Sequence, residues 1–494
     1  MDRAAPPLLP LLLWRTPPGL ELILAQEGIA FERLHEAAAR RLAFERGRFV
    51  LYDGRRVARG RLRKLLGPRH VALDVDALRG TERRDPFAVL IDTRARQGHW
   101  NIAGARLEEH VSRVDRARLR AGLLGRLREA VQQAGGVWAR LGAYPHPYRS
   151  AFNFRVDLDE PYSEDYAIFA RAREPLEDCT THFVSTHAYG TDRRVMADLQ
   201  RRDVQSHGHY HVVYRSSRAN RANLRRADDR LRAWGIVPSG FAAPEGRWNR
   251  GLDEAVAELG YMYSSEFQLG RDDLPFYPWR GGRFSPVLQV PIHPVCEGLF
   301  LEAGVTDSRI IADYYVRTVA AKIAAGEPAF VYGHPERRLA RVPEVLTQIA
   351  ESIRGTDLLW RVTLTEFARW WRWRGSRRWS LLERGAGRYE IHFEDGDATF
   401  APAVEIVRGD YVARLPVRSS RVAIELSELA YERHDLRADV PAPHLRHGPW
   451  GLRVALRRAL DWETTTPLAD LPIDSPRAAL KKILRAWRER GRRR

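Results

Sequence analysis

Short apolar runs alternate with segments of helical periodicity along most of the chain. In the middle of the chain, Ala151–Val156, His182–Ser185 and Ala329–Tyr332 are short and apolar, which is typical of buried parallel strands. Amphipathic helices are predicted between these strands, at Asn220–Trp234, Leu252–Leu259 and Ile310–Ala325. This alternation of strands and helices predicts an α/β domain built on a parallel sheet.

The two flanking regions follow different patterns. Before residue 146 we predict strands at Leu20–Ala25, Arg48–Tyr52, His70–Val75 and Phe87–Ile91, and helices at Phe31–Arg46 and Arg106–Gln133. After residue 374, alternating apolar and polar residues predict antiparallel strands at Tyr389–Phe393, Val404–Val407, Tyr411–Leu415 and Val422–Leu426. The predicted domains are an N-terminal α/β domain (1–145), a middle domain (146–375), a small antiparallel β domain (380–440) and a Pro-rich, basic helical tail (441–494).

Composition adds a strong positive charge to this outline. The 494 residues include 81 basic and 63 acidic ones, which gives a formal net charge of +18. Such a charge attracts anionic polymers or membrane surfaces. However, the basic residues are almost all arginine, are scattered along the chain, and are accompanied by no nucleic-acid-binding motif. We therefore expect no specific nucleic-acid partner.

The cysteine count and the hydropathy limit the classes of protein further. Only two cysteines occur, which excludes a disulfide scaffold and a cysteine-based zinc module. No apolar run approaches the ~20 residues that span a bilayer, so no transmembrane segment is expected. The run Leu8–Trp14 is interrupted by Pro10 and lacks a small-residue cleavage site, so it is not a convincing signal peptide. We expect a cytoplasmic protein, with export left open.

Two stretches of the middle domain carry candidate chemistry. An apolar strand ends in the carboxylate pair Asp157 and Asp159, at the position where parallel-sheet proteins place their chemistry. Further on, His207 and His211 are four residues apart, so their imidazoles can converge on one ion. A carboxylate with two histidines leaves open positions on zinc, iron or another divalent ion, as a hydrolytic site requires.

Several segments in order along about 225 residues extend this pattern. They are Asp157-Leu-Asp159, Thr180-Thr-His-Phe-Val184, His207-Gly-His-Tyr-His211, Gly240-Phe-Ala-Ala-Pro244-Glu-Gly-Arg-Trp-Asn249, Gly260-Tyr-Met-Tyr-Ser-Ser-Glu266 and Phe330-Val-Tyr-Gly-His334-Pro. Together they make the middle domain resemble the NodB-homology polysaccharide deacetylases, which form carbohydrate esterase family 4. The ordered set is specific for the superfamily and leaves the substrate open.

The resemblance implies a distorted (β/α) barrel with a divalent metal, zinc by default, at the carboxyl ends of its strands. By position, Asp159, His207 and His211 would be the metal ligands, Asp157 the general base and His334 the general acid. The residues that the resemblance places at the substrate are Pro244, Arg247, Trp248 and Glu266.

The sequence departs from the family pattern at two positions, of which residue 242 is the more important. Ala242 stands where the family usually has an arginine that orients the base, and Glu266 replaces a common aspartate. Arg247 or Arg155 are the candidates to replace the missing guanidinium. Without a replacement, the site would be weakened or inactive.

The resemblance implies a metal-dependent hydrolase that removes N-acetyl groups from an N-acetylated sugar or polysaccharide. Two alternatives keep the same fold. One is an allantoinase-like or imidase-like hydrolase of a small cyclic amide, because the Ser-His-Gly form of the histidine motif also occurs in that branch. The other is a catalytically degenerate barrel that binds carbohydrate, which is suggested by Ala242 at the position of the family's arginine.

Overall fold

The computed structural model describes residues 9–35, 48–58, 60, 62, 70–80, 84–385, 387–394, 399–433, 439–446, 466–473 and 476–492. The predicted helix Phe31–Arg46 therefore lies largely outside the described residues. Among the described residues, no helix combines the length and hydropathy needed to cross a bilayer.

The N-terminal region begins with a small parallel sheet, followed by a hairpin and a long helix. Its strands are β1 (Leu11–Trp14), β2 (Phe31–Arg33), β3 (Phe49–Tyr52), β4 (Val71–Asp74), β5 (Ala95–Ile102), β6 (Ala105–Ser112) and β7 (Trp138–Leu141). Its helices are α1 (Pro18–Glu27), α2 (Pro86–Leu90) and α3 (Arg116–Gln133). Strands β1 to β4 pair in parallel in the order β2-β1-β3-β4, which includes both predicted strands around residues 50 and 72.

Two predicted strands of this region are wrong, because both segments are short helices. The segment Leu20–Ala25 lies within α1, which begins at Pro18 and ends at Gly28 with φ +77°. Most of this helix is buried, so its sequence shows no polar face that would reveal helical periodicity. The segment Phe87–Ile91 lies mostly in α2, where the Asp85 side chain accepts a hydrogen bond from the Phe87 amide as an N-cap.

The predicted helix Arg106–Gln133 is also partly wrong. Its first residues form β6, which pairs antiparallel with β5 across a tight turn at Ala103 and Gly104. The helix α3 begins only at Arg116, where the Asp115 carboxylate accepts a hydrogen bond from the Arg118 amide. The beginning of the other predicted helix, at Phe31, is strand β2.

The middle region is built on one parallel sheet. Its strands are β8 (Ser150–Leu158), β9 (Thr180–Val184), β10 (Asp203–Ser206), β11 (Gly240–Ala242), β12 (Tyr263–Ser265), β13 (Trp279–Arg280), β14 (Arg283–Phe284), β15 (Leu288–Gln289), β16 (Pro328–Gly333) and β17 (Leu359–Arg361). Eight of them form the sheet, in the order β15-β12-β11-β10-β9-β8-β16, with β17 also paired to β8. Every pair in this sheet is parallel, whereas β13 and β14 form a separate antiparallel pair.

Helices follow most of the strands of this sheet. They are α4 (Ser163–Ala172), α5 (Thr186–Tyr189), α6 (Arg193–Leu199), α7 (Ser217–Arg232), α8 (Arg250–Glu258), α9 (Glu297–Glu302), α10 (Ser308–Ala324), α11 (Glu344–Ile353) and α12 (Leu364–Ser376). The central strand β8 is buried along all nine residues, as a strand between neighbours on both sides requires. The predicted fold class, a distorted (β/α) barrel, is therefore confirmed as an open half-barrel.

The remaining described residues form small antiparallel sheets and one terminal helix. The elements are β18 (Trp379–Gly385), β19 (Arg388–Phe393), β20 (Ala403–Arg408), β21 (Tyr411–Pro416), β22 (Arg421–Glu425), β23 (Glu432–Arg433), β24 (His444–Leu445) and α13 (Pro476–Arg492). Strand β20 pairs with β7 from the N-terminal region, and residues of both regions share one apolar cluster. The four strands predicted here are confirmed as antiparallel, while the division into domains remains a proposal.

Candidate active site

Three polar side chains converge at the carboxyl end of the parallel sheet. Asp159 follows β8 directly, and His207 and His211 lie in the loop that follows β10. One carboxylate oxygen of Asp159, Oδ1, lies 3.2 Å from the Nε2 atom of each histidine. The sheet topology thus brings together all three residues that the resemblance implies as metal ligands.

The hydrogen bonds of His207 indicate what belongs between these atoms. Its Nδ1 atom lies 2.8 Å from the carbonyl oxygen of Ala242, and because a carbonyl only accepts, Nδ1 carries the proton. In the neutral ring, the Nε2 atom then carries a lone pair, and this lone pair faces the carboxylate of Asp159. The Oδ1 atom of that carboxylate is buried without a hydrogen-bond partner. Facing acceptors of this kind fit a cation, and two imidazoles with one carboxylate match the ligands that Zn²⁺ takes in catalytic sites.

The three candidate ligands are not equally covered by protein. The exposed fraction of the side chain is 1% for His207, 14% for Asp159 and 22% for His211. The cluster is therefore closed on the His207 side and open toward His211. An ion held here would keep positions accessible to a substrate, as a catalytic metal site requires.

Asp157, the expected general base, forms a bidentate ion pair inside the protein. The Nε and Nη2 atoms of Arg155 donate to Oδ1 and Oδ2 of Asp157 at 2.7 Å and 2.5 Å. Both residues belong to β8 and are two positions apart, so their side chains project from the same face of the strand. Burial would raise the pKa of Asp157, but the guanidinium outweighs it and holds that pKa below its usual value.

Of the two arginines expected to replace the guanidinium missing at Ala242, Arg155 is thus the one that forms an ion pair with Asp157. Its side chain is fully buried, donates through Nη1 to the Ser265 carbonyl at 2.7 Å, and lies over the rings of Phe183 and Tyr332. The other candidate for this role, Arg247, instead forms an ion pair with Glu245 and is partly exposed. Of the two candidates, only Arg155 contacts the base in the described residues.

His334, the expected general acid, follows β16 on the other side of the cluster. Its Nε2 atom lies 3.7 Å from Oδ2 of Asp159. Its backbone amide and its Nδ1 atom both lie within hydrogen-bond distance of Oε1 of Glu297, at 2.8 Å and 3.1 Å. Because a carboxylate only accepts, Nδ1 carries a proton, and Glu297 fixes the orientation of the ring.

The charge of His334 is set by a conflict between burial and its neighbours. Burial and the Arg338 cation both lower its pKa. The Cys296 side chain and the carboxylates of Glu297 and Asp159 raise it and prevail, so the pKa of His334 lies well above its ordinary value. The raised pKa favours the protonated imidazole, which is the form that a proton donor needs.

Sequence reasoning missed several residues around His334. Cys296, Glu297 and His334 place their ligand atoms within 4.8 Å of one another, all buried. Glu336, also buried, accepts a hydrogen bond from the Tyr189 hydroxyl at 2.7 Å. Burial raises the pKa of Glu336 to about 8, and the nearby Asp159 charge adds to this. The one sequence signal was a charged residue, Glu297, within an otherwise apolar stretch after β15.

The residues expected at the substrate are not all placed for that role. Pro244 is buried in the turn that follows β11, and Trp248 packs against the apolar cluster shared with the N-terminal region. Glu266 is fully buried and interacts with Arg155, and burial raises its pKa to about 8. Glu266 thus lies close to the Arg155–Asp157 ion pair and is not on an open surface, and its role at a substrate stays a prediction.

Two other histidines of the region, His209 and His293, have separate partners. His209 projects away from the cluster and bonds the Thr186 hydroxyl at 3.0 Å, and burial lowers its pKa to about 4. His293 is buried between Asp272 and the Tyr314 hydroxyl, at 3.0 Å and 2.8 Å. Neither belongs to the group of residues that could hold the ion.

Comparison with known proteins gives matches among solved structures only. No protein-family model matches the chain, and no curated protein matches it. The chain is similar to a Mycobacterium smegmatis protein named as a polysaccharide deacetylase, with 17% identity over 49% of this chain and 96% of that one and a TM-score of 0.39. It is also similar to the PuuE allantoinase, with 15% identity over 47% and 93% and a TM-score of 0.41.

A third similar structure is a family 4 carbohydrate esterase from Streptomyces lividans in complex with acetate. The identity is 15% over 44% of this chain and 92% of that one, with a TM-score of 0.30. At these identities and TM-scores, the likeness identifies neither the reaction nor the substrate of this chain. The function has to follow from the side chains of the site.

The first prediction concerns the ligands. We expect His207→Ala and His211→Ala each to weaken Zn²⁺ binding at least 100-fold, because each removes one of three donors. His209→Ala is the matched control and should leave Zn²⁺ affinity unchanged, since its ring bonds Thr186. Isothermal titration of the metal-free protein with Zn²⁺ measures all three. Equal affinities for the His207 and His209 variants would contradict the assignment.

The second prediction separates the two candidate arginines. Arg155→Met leaves Asp157 buried without its partner, and we expect the free energy of unfolding to fall by about 3–5 kcal/mol. Arg247→Met removes a partly exposed pair and should cost about 0–1 kcal/mol. Urea unfolding followed by circular dichroism measures both. A loss that is as large for Arg247→Met as for Arg155→Met would show that Arg155 has no special role.

Proposed function

We propose that this protein is a metal-dependent hydrolase that removes N-acetyl groups from an N-acetylated sugar or polysaccharide. The observation that carries the proposal is the arrangement of a charged base and a charged acid around one ligand cluster. Asp157 lies two residues before Asp159 on one side, and His334 approaches Asp159 from another. Hydrolysis of an amide needs both groups, because water must lose a proton and the amine must gain one.

A divalent ion held by Asp159, His207 and His211, most simply Zn²⁺, would polarise the acetamido carbonyl and make water more acidic. The remaining chemistry belongs to side chains of the chain. Asp157 is ionised because Arg155 stabilises its charge, so it can accept a proton from the attacking water. The bidentate pair also fixes the direction of the carboxylate, which limits the movement of the base.

The leaving amine needs a proton that His334 can supply. Its Nδ1 proton is committed to Glu297, so the Nε2 proton is the one available to the nitrogen of the breaking bond. Glu297 is held in turn by the Tyr315 hydroxyl at 3.0 Å. The surroundings favour the ionised form of Asp157 and the protonated form of His334, which supports a hydrolytic site over a degenerate binding site.

The decisive test is acetate release from N-acetylglucosamine oligomers by the Zn²⁺-loaded protein. We expect turnover in the parent, and a loss of at least 100-fold in kcat for Asp157→Asn with Zn²⁺ retained, because an amide cannot accept the proton. Ureides and cyclic imides are assayed in parallel. Turnover of those compounds alone would assign the site to small cyclic amides, and glycan binding without any turnover would contradict catalysis.

A further prediction concerns pH. Glu297→Gln keeps an acceptor for the His334 Nδ1 proton but removes a negative charge that raises the pKa of His334. The imidazolium is then lost at lower pH, so the alkaline limb of kcat/KM should move to lower pH. Glu302→Gln, at a largely exposed position on the same helix, is the matched control and should leave the limb in place. An unmoved limb in an active Glu297→Gln enzyme would contradict the role of His334.

A further inference from the structure

The terminal helix α13 exposes an apolar stripe. Leu480, Ile483, Leu484 and Trp487 occupy positions i, i+3, i+4 and i+7, so they lie on one face of the helix. The exposed fraction is 56% for Leu480, 65% for Ile483 and 78% for Trp487. A stripe of this kind normally faces a core, and an exposed one marks an interaction surface.

The rest of the same helix is strongly basic. Between Pro476 and Arg492 the sequence has two lysines and five arginines against one acid, Glu489. This charge disfavours a second copy of the helix as the occupant of the stripe, since pairing would bring like charges together. A nucleic acid would engage the cations but would leave the apolar stripe in water. A surface that offers anionic groups above hydrocarbon satisfies both faces at once.

The segment before the helix is attached beside the candidate active site. Asp470 accepts hydrogen bonds from the Tyr210 hydroxyl and from Nη1 of Arg226, the latter at 2.8 Å. Tyr210 stands between His209 and the candidate ligand His211. The helix is joined to this segment by Lys482, whose ammonium donates to the Leu471 carbonyl at 3.2 Å. A surface that binds α13 would therefore lie near the loop that carries His211.

We propose that α13 binds the surface of an anionic phospholipid membrane. The helix would lie in the plane of the interface, with Leu480, Ile483, Leu484 and Trp487 among the acyl chains and its cations at the phosphate groups. Its 17 residues make a helix of about 25 Å, which is long enough to lie along an interface and too short to cross the bilayer. This binding is independent of the reaction proposed for the active site.

The test uses the full chain and vesicles of phosphatidylcholine with or without 30% phosphatidylglycerol. We expect co-sedimentation with the anionic vesicles that weakens at least tenfold in 0.5 M NaCl, because salt screens the cations. The double variant Ile483→Ser/Trp487→Ser should bind at least tenfold more weakly. Val237→Ser is the matched control, since Val237 has the same exposed fraction as Ile483, 65%, and lies outside the helix.

A second measurement covers the case in which the double variant perturbs the helix. Vesicles with brominated acyl chains should quench part of the tryptophan fluorescence of the parent, and Trp487→Phe should remove that quenching while binding is kept. Absence of vesicle binding by the parent would overturn the proposal, even if the protein bound RNA or another protein. Quenching that persists in Trp487→Phe, or equal binding by the double variant and Val237→Ser, would overturn it as well.

Discussion

The buried ion pair between Arg155 and Asp157 is the interaction on which the site depends. Two charges inside a fully buried strand are costly to desolvate, and they are tolerated only where each finds close partners. Here the guanidinium also donates to the Ser265 carbonyl and lies over two aromatic rings. The carboxylate in turn accepts hydrogen bonds from the Nε and Nη2 atoms of Arg155. The strands around β8 thus supply the partners that favour an ionised Asp157 in the interior.

A similar arrangement lies at the end of β16, but there a carboxylate supports a basic side chain. Glu297, itself buried, binds both the amide and the ring of His334, and the Tyr315 hydroxyl restrains Glu297. The two arrangements stabilise a negative charge at one strand end and a positive charge at another. The proposed acid and base can coexist in one small site because each has its own counter-charge, and neither neutralises the other.

The predictable part of this protein is the part whose signals are local. Strands β8, β9 and β16 follow from short apolar runs, and a site that combines a strand-end carboxylate with two histidines follows from their positions and spacing. The choice of Asp159 over Asp157 as the ligand came from the resemblance to the deacetylases. Helix α1 was mistaken for a strand because it is buried nearly all round and has no polar face. Glu297 could not be placed from the sequence, since only the tertiary fold brings it to His334, 37 residues away. Arg155 could be named as a candidate, but its choice over Arg247 needed the structure.

The uneven coverage of the three candidate ligands has a consequence for exchange kinetics. Affinity for an ion would be shared by all three donors, whereas access runs past His211, whose side chain is 22% exposed while that of His207 is 1% exposed. A chelator or a competing ion would reach His211 first, and the bond from the ion to His207 would be the last to break. How fast the ion enters and leaves would then depend mainly on one residue, even though how tightly it is held depends on three.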